Sequence, residues 1–141
     1  MTANESWTCP DCGRRFARRG QGHVCAEAVT LDAYFATALP HERHVFDAVH
    51  GFLSTLGPVH VEPVGVGIFL KKPGQVAQLR PATKWVDLTF SISRPVRHRL
   101  IVRKPVPHGR FHYHAVRLTG PEDLDDEILG WLTEAYLAAA D

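Results

Sequence analysis

Hydrophobic and polar positions along this chain change period several times, and each change marks an element. "TLDAYFATAL" opens on Thr30, whose hydroxyl suits a helix N-cap, with Asp32 in the electropositive first turn. Pro40 stops that helix and suits the first turn of the next. From about 41 to 56 the residues Val45, Phe46, Val49, Phe52, Leu53 and Leu56 recur three and four apart, the buried stripe of a second helix that Gly57-Pro58 ends.

The period then drops to two. "VGVGIFLKK" predicts a strand with Val64, Val66, Ile68 and Leu70 on one face, and "KPGQ" turns it into "VAQLRP". "KWVDLTFSI" alternates most cleanly: Val86, Leu88, Phe90 and Ile92 point one way, and Trp85, Asp87, Thr89 and Ser91 the other. "RLIVRK" predicts a short strand and "FHYHAVRL" the last one. The helical period returns in "GPEDLDDEILGWLTEAYLAAA", with acids in its first turn and Leu124, Ile128, Leu132 and Tyr136 along one side. Two helices, about five strands and a C-terminal helix, with no helical crossovers between strands, predict an α+β fold. Its sheet is mainly antiparallel, with helices on one face.

Composition (45% hydrophobic, 22% charged) is that of a globular protein. No run approaches the ~18 apolar residues of a membrane span. "MTANESWTCP" has neither the basic start nor the apolar run of a secretory signal, so a reducing cytoplasm is expected. There, thiols are free or metal-bound rather than bridged.

All 3 cysteines fall within residues 9–25, "CPDCGRRFARRGQGHVC". Cys9 and Cys12 have the spacing of a metal knuckle, in which the turn aims both sulfurs at one centre and the following glycine permits the reversal. His23 and Cys25 complete four ligands suited to a tetrahedral zinc. The single residue between them is shorter than the usual spacing, which leaves His41 or His44 as alternative ligands. Residues 1–28 are too few to bury a core of their own, yet they carry Trp7, Phe16 and Val24, so a metal would supply their folding free energy. Four protein ligands leave no open position, and the zinc is expected to be structural. The predicted organisation is a zinc-finger-like segment over residues 1–28 and an α+β sheet domain over residues 29–141.

The finger "WTCPDCGRRFARRGQGHVC", then "YFATALP", then "HYHAVRL" and "DLDDEILGWLTEAY" together resemble a bacterial family of domains of unknown function numbered 5655. The resemblance spans nearly the whole chain. It implies the finger-plus-sheet arrangement and no activity.

Net charge is only +1, but it is segregated. Residues 71–114 carry ten Lys or Arg against Asp87 alone, while residues 115–141 carry seven acids against Arg117. A basic block of this kind can be the footprint of an anion or nucleic acid; the ordinary alternative is a solvated sheet face balanced by acidic helices. The functional expectation is that Arg80, Lys84, Arg97, Arg99 and Arg103 line a concave sheet face, with His112 and His114 at its edge. The two histidines, two apart in one strand, share a face: they would form a small site for a metal, anion or proton, or else pack as half-buried structural groups. No Ser-His-Asp spacing, nucleophile elbow or phosphate loop is present in the sequence. The expected protein is therefore a zinc-stabilised binding protein for nucleic acid or another anion rather than an enzyme. The alternatives are a protein-interaction adaptor with a structural zinc and a small enzyme using His112 and His114.

Overall fold

The structure, a computed structural model, describes residues 6–23, 25, 29–72 and 74–139. Two short strands, β1 (Trp7–Thr8) and β2 (Arg15–Phe16), form an antiparallel hairpin. Helices α1 (Leu31–Phe35) and α2 (Pro40–Leu56) follow. The hydroxyl of Thr30 accepts from the Ala33 N–H at 3.1 Å, as its sequence position predicts. Strands β3 (His60–Val64), β4 (Gly67–Lys71), β5 (Gln75–Pro81), β6 (Val86–Ile92), β7 (Val106–His108) and β8 (Phe111–Leu118) precede a 3₁₀ turn (Pro121–Asp123) and the C-terminal helix α3 (Asp126–Ala138).

The six main strands form one antiparallel sheet in the order β3-β4-β5-β6-β8-β7. The α+β class, the antiparallel sheet and the closing helix are those the periodicity predicts. Helices α2 and α3 pack side by side on one face, with α3 lying across β5 and β6. The core lies between these layers. Phe90, Leu53, Leu70, Leu88, Leu118 and Leu132 are among its fully buried side chains. With both long helices on one side, the other face of the sheet is left for a different use.

Three local expectations change. "VGVGIFLKK" is not one strand: the chain reverses at Gly65-Val66, Val64 pairs with Gly67, and Val66 is 55% exposed instead of core-facing. Just after the turn, Gly67 lets β5 approach closely: a β-carbon there would lie 2.5 Å from the Leu79 carbonyl oxygen. "RLIVRK" forms no strand. Pro95 and Pro105 flank an irregular connection that touches the sheet edge through a single backbone bond, Arg117 N–H to the Leu100 carbonyl at 2.9 Å. The sheet also gains β3 and β7, whose prolines, Pro63 and Pro107, mask them in the sequence. Both are edge strands. The turn read at "KPGQ" connects β4 to β5, though Pro73 itself lies outside the described residues.

Candidate metal centre and basic sheet face

The metal centre is built by the β1–β2 hairpin and the segment after it. In the knuckle, the Cys9 N–H donates to the Arg14 carbonyl and the Gly13 N–H to the Cys9 carbonyl, each at 2.8 Å, and Gly13 takes φ +74°. Cys9, Cys12, His23 and Cys25 bring their ligand atoms within 4.8 Å of one another. Cys9 Sγ lies 3.9 Å from Cys25 Sγ, and His23 Nε2 lies 3.5 Å from Cys12 Sγ and 3.3 Å from Cys25 Sγ. Metal–ligand lengths of about 2.3 Å to sulfur and 2.0–2.1 Å to nitrogen make a tetrahedron with S···S edges of about 3.8 Å and S···N edges of about 3.6 Å. The four ligand atoms therefore fit a metal ion. His41 and His44, the alternative ligands, lie on α2 and take no part in this cluster.

The surroundings favour metal binding. His23 Nδ1 is 2.7 Å from the Gln21 carbonyl, so it carries the proton and directs the Nε2 lone pair at the sulfurs. Burial disfavours the Cys9 thiolate, but the backbone N–H groups of Cys12 and Asp11 outweigh it and bring its thiol down to about 7. Desolvation and the thiols of Cys9 and Cys12 push Cys25 up to about 11 without a metal. Phe16 stacks on His23 at 4.0 Å between centroids, and Trp7 packs beside both, which is the small core the segment needs. Val24 lies outside the described residues.

The hairpin is joined to the open face of the sheet by a buried charge cluster. Arg14 Nε donates to Glu62 Oε1 at 2.8 Å, Lys71 Nζ donates to the same oxygen at 2.9 Å, and the Arg15 N–H donates to Oε2 at 3.1 Å. Lys71 Nζ also donates to the Arg15 carbonyl at 2.7 Å. All three charged side chains are at most 5% exposed. Burial opposes ionisation of Glu62, but Arg14 and Lys71 hold its carboxyl below the usual glutamate range. Burial in turn holds Lys71 below the usual lysine range against the pull of Glu62. Arg14 lies over the Phe69 ring at 4.5 Å and Lys71 over Phe16 at 4.0 Å. None of these three stood out in the sequence. The available signal was Glu62, an acid inside the apolar run "VHVEPVG".

Beyond this hairpin the open face carries three cross-strand rows set by the register. One is Arg80–Asp87–Arg117 and the next is Gln78–Thr89–Ala115, both across β5, β6 and β8. The third is Ser91–Tyr113–Val106 across β6, β8 and β7. The middle row, Gln78, Thr89 and Ala115, floors a depression of about 560 Å³, and the 93–105 connection borders its charged end with Arg103 and Lys104. Arg103 Nη2 lies 3.8 Å from Asp87 Oδ2. Arg117 stacks on Trp85 at 3.9 Å, and its buried Nε has no hydrogen-bond partner among the described residues.

Of the sequence-predicted ligand residues, the structure brings Arg80 and Arg103 together here and adds Lys104, with Arg117 flanking Asp87 in the cross-strand row. Lys84 sits on the turn between β5 and β6. Arg97 and Arg99 lie exposed on the 93–105 connection, where Arg99 faces Asp123 and Asp125. His112 and His114 pair with Ile92 and Phe90, which places them in rows of the helix-covered face. His114 touches the depression, but the residue is 2% exposed, its ring is stacked on Phe90 at 5.3 Å, and its Nε2 accepts the Val96 N–H at 3.1 Å. Burial, reinforced by the charges of His112 and Arg94, lowers its pKa against a backbone hydrogen bond to His112. This is a core group, with Nε2 paired and its buried Nδ1 without a hydrogen-bond partner among the described residues.

A second acid–histidine grouping, His98, Asp125 and Glu127, is explained by a helix cap. Asp125 Oδ1 accepts the Ile128 N–H at 3.0 Å and Oδ2 lies 2.7 Å from His98 Nε2, while His98 Nδ1 accepts from Leu100 N–H at 3.0 Å.

Fold and sites define a small α+β domain whose open sheet face is shared between a cysteine–histidine hairpin able to hold a metal ion and a basic depression. The chain belongs to the family described as Domain of unknown function (DUF5655), whose model matches residues 31–139. The match begins after the cysteine–histidine hairpin and includes every strand of the main sheet. No curated protein and no solved structure matches the chain.

Proposed function

We propose that this is a zinc-stabilised binding protein, resident in the cytoplasm, that takes a phosphate-bearing anion, free or within a nucleic acid, on the open face of its sheet. One observation carries the reading: Arg80, Arg103 and Lys104 line a depression on the uncovered face with a single carboxylate, Asp87, and Arg117 flanks that carboxylate in the same cross-strand row. Like charges gathered on a concave surface focus field and attract anions. Arginine suits phosphate because its planar fork donates two parallel hydrogen bonds. Three cysteines and one histidine favour zinc, and the closed ligand shell gives the metal a structural role. The cytoplasmic reading rests on the reduced thiols such a centre needs.

The test is fluorescence titration of the zinc-loaded protein with a labelled single-stranded oligonucleotide at 50 and 200 mM salt (concentrations of about these values separate the cases). Neutralising about three phosphates predicts roughly tenfold to twentyfold weaker binding at the higher salt. Arg80→Ala combined with Arg103→Ala should abolish binding and leave the fold intact, since both side chains are exposed. Binding that ignores both salt and these substitutions, or no binding, would overturn the proposal in favour of a protein-interaction adaptor.

A further inference from the structure

The geometry points to a nucleotide unit, an aromatic base joined to a phosphate, as the chemistry this depression recognises. The inference rests on the anion-binding reading above and narrows it. The evidence is the order of the three rows. Successive same-face rows of a sheet lie about 7 Å apart, so the face changes chemistry over a distance that one small ligand can span. At one end stand the cations around Asp87. At the other end Tyr113 and Val106, direct cross-strand neighbours, are 38% and 59% exposed. Exposed aromatic and aliphatic surface beside a cationic cluster calls for a ligand that is flat and apolar at one end and anionic at the other.

The middle row distinguishes a base from a plain aromatic ring. Gln78 and Thr89 occupy it, and the Gln78 carboxamide makes no hydrogen bond among the described residues. The carboxamide offers two donors and an acceptor, and the Thr89 hydroxyl, which donates to the Gln78 backbone carbonyl at 3.5 Å, offers an acceptor. Such groups match the mixed edges of a nucleobase and have nothing to meet on a phenyl ring. Ala115, the third member of the row, adds no bulk, so the base has room to lie on the sheet. Single-stranded nucleic-acid sites combine a cationic track with an aromatic platform in this way. A volume of about 560 Å³ is in the range of small-ligand pockets, ~300–1,000 Å³. The cavity therefore takes one unit and not a duplex.

Calorimetric titrations of the zinc-loaded full chain with adenosine 5′-monophosphate, ribose 5-phosphate and inorganic phosphate test this. Stacking is worth about 1–3 kcal/mol per base, so the nucleotide should bind at least ~5-fold tighter than the base-free sugar phosphate. Tyr113→Ala should erase that margin and leave sugar-phosphate binding unchanged, while Tyr113→Phe should keep it. Both variants should fold, because the side chain is exposed. Equal affinity for nucleotide and sugar phosphate would overturn the inference and leave the anion site standing. Binding of none of the three, and of no oligonucleotide, would overturn both. A pentathymidylate and its abasic counterpart separate the sources: preference for the thymidylate over the mononucleotide identifies a unit within a strand, preference for the mononucleotide identifies a free nucleotide, and equal binding of the abasic strand counts against recognition of a base.

Discussion

Arg14 and Glu62, 48 residues apart, meet at 2.8 Å with both side chains at least 95% withdrawn from water. This contact joins the cysteine–histidine hairpin to the sheet. Lys71 adds a second cation to the same carboxylate oxygen.

Removing the shared anion should therefore be expensive. Glu62→Ala leaves Arg14 and Lys71 buried without a counter-charge, a loss of the kind that costs about 3–5 kcal/mol. Urea unfolding of the zinc-loaded protein should show the midpoint falling accordingly. A loss under ~1 kcal/mol would place the cluster with ordinary surface ion pairs.

Metal removal should act locally first. Cys12→Ser, or chelation, should abolish metal binding and expose the backbone of residues 6–23, because Trp7, Phe16 and His23 form too small a core alone. Strands β5, β6 and β8 should keep slow amide exchange, since their core lies under α2 and α3. Amide exchange with mass detection separates this from one cooperative collapse.

Acid should weaken the fold in two windows. His114 has a folded pKa below its ordinary value of 6.5, so below 6.5 the unfolded chain binds a proton that the folded one refuses. Stability present above 6.5 is lost as pH falls toward the folded value, at no more than about 1.4 kcal/mol per pH unit for this one group. His114→Gln should flatten that slope in melting temperatures measured between pH 7 and 5. Glu62 is held below its ordinary 4.5, so its stabilisation is present above 4.5 and lost in stronger acid, where Glu62→Gln should flatten the second slope.

Gly67→Ala should destabilise without touching any site. Its β-carbon would meet the Leu79 carbonyl oxygen at 2.5 Å, so β4 and β5 would have to move apart at a cost of about 1–3 kcal/mol. Gly51→Ala, on α2 with open space around its β-carbon, is the control and should be neutral or stabilising. Thermal melts of the two variants decide it.

The features legible in the sequence were those carried by local periodicity. The stripe from Val45 to Leu56, the alternation of Val86 to Ile92, and the Cys9–Cys12 knuckle each depend on neighbours a few residues away. What was not legible depends on pairing across the chain. Nothing near Glu62 announces that Arg14 will reach it. The two-residue period of "FHYHAVRL" put His112 and His114 on one face, but only the register with Phe90 and Ile92 decides that this face lies under α3. The basic block behaved similarly. Arg80 reaches the depression because β5 lies beside β6, whereas Arg99 is drawn to the carboxylates of Asp123 and Asp125. Sequence order alone cannot separate those two arginines.

The connection over residues 93–105 is tied to β8 by the Arg117 N–H to the Leu100 carbonyl and by the Val96 N–H to His114 Nε2, both before its last residues, which supply Arg103 and Lys104 to the depression. These two side chains owe little to core packing, so substitution or length change in their part of the loop leaves the sheet register and the helix layer almost untouched. Within a family that shares the 31–139 framework, this is the cheapest place for the charge around the depression to diverge. The scaffold and the surface it presents can evolve at different speeds.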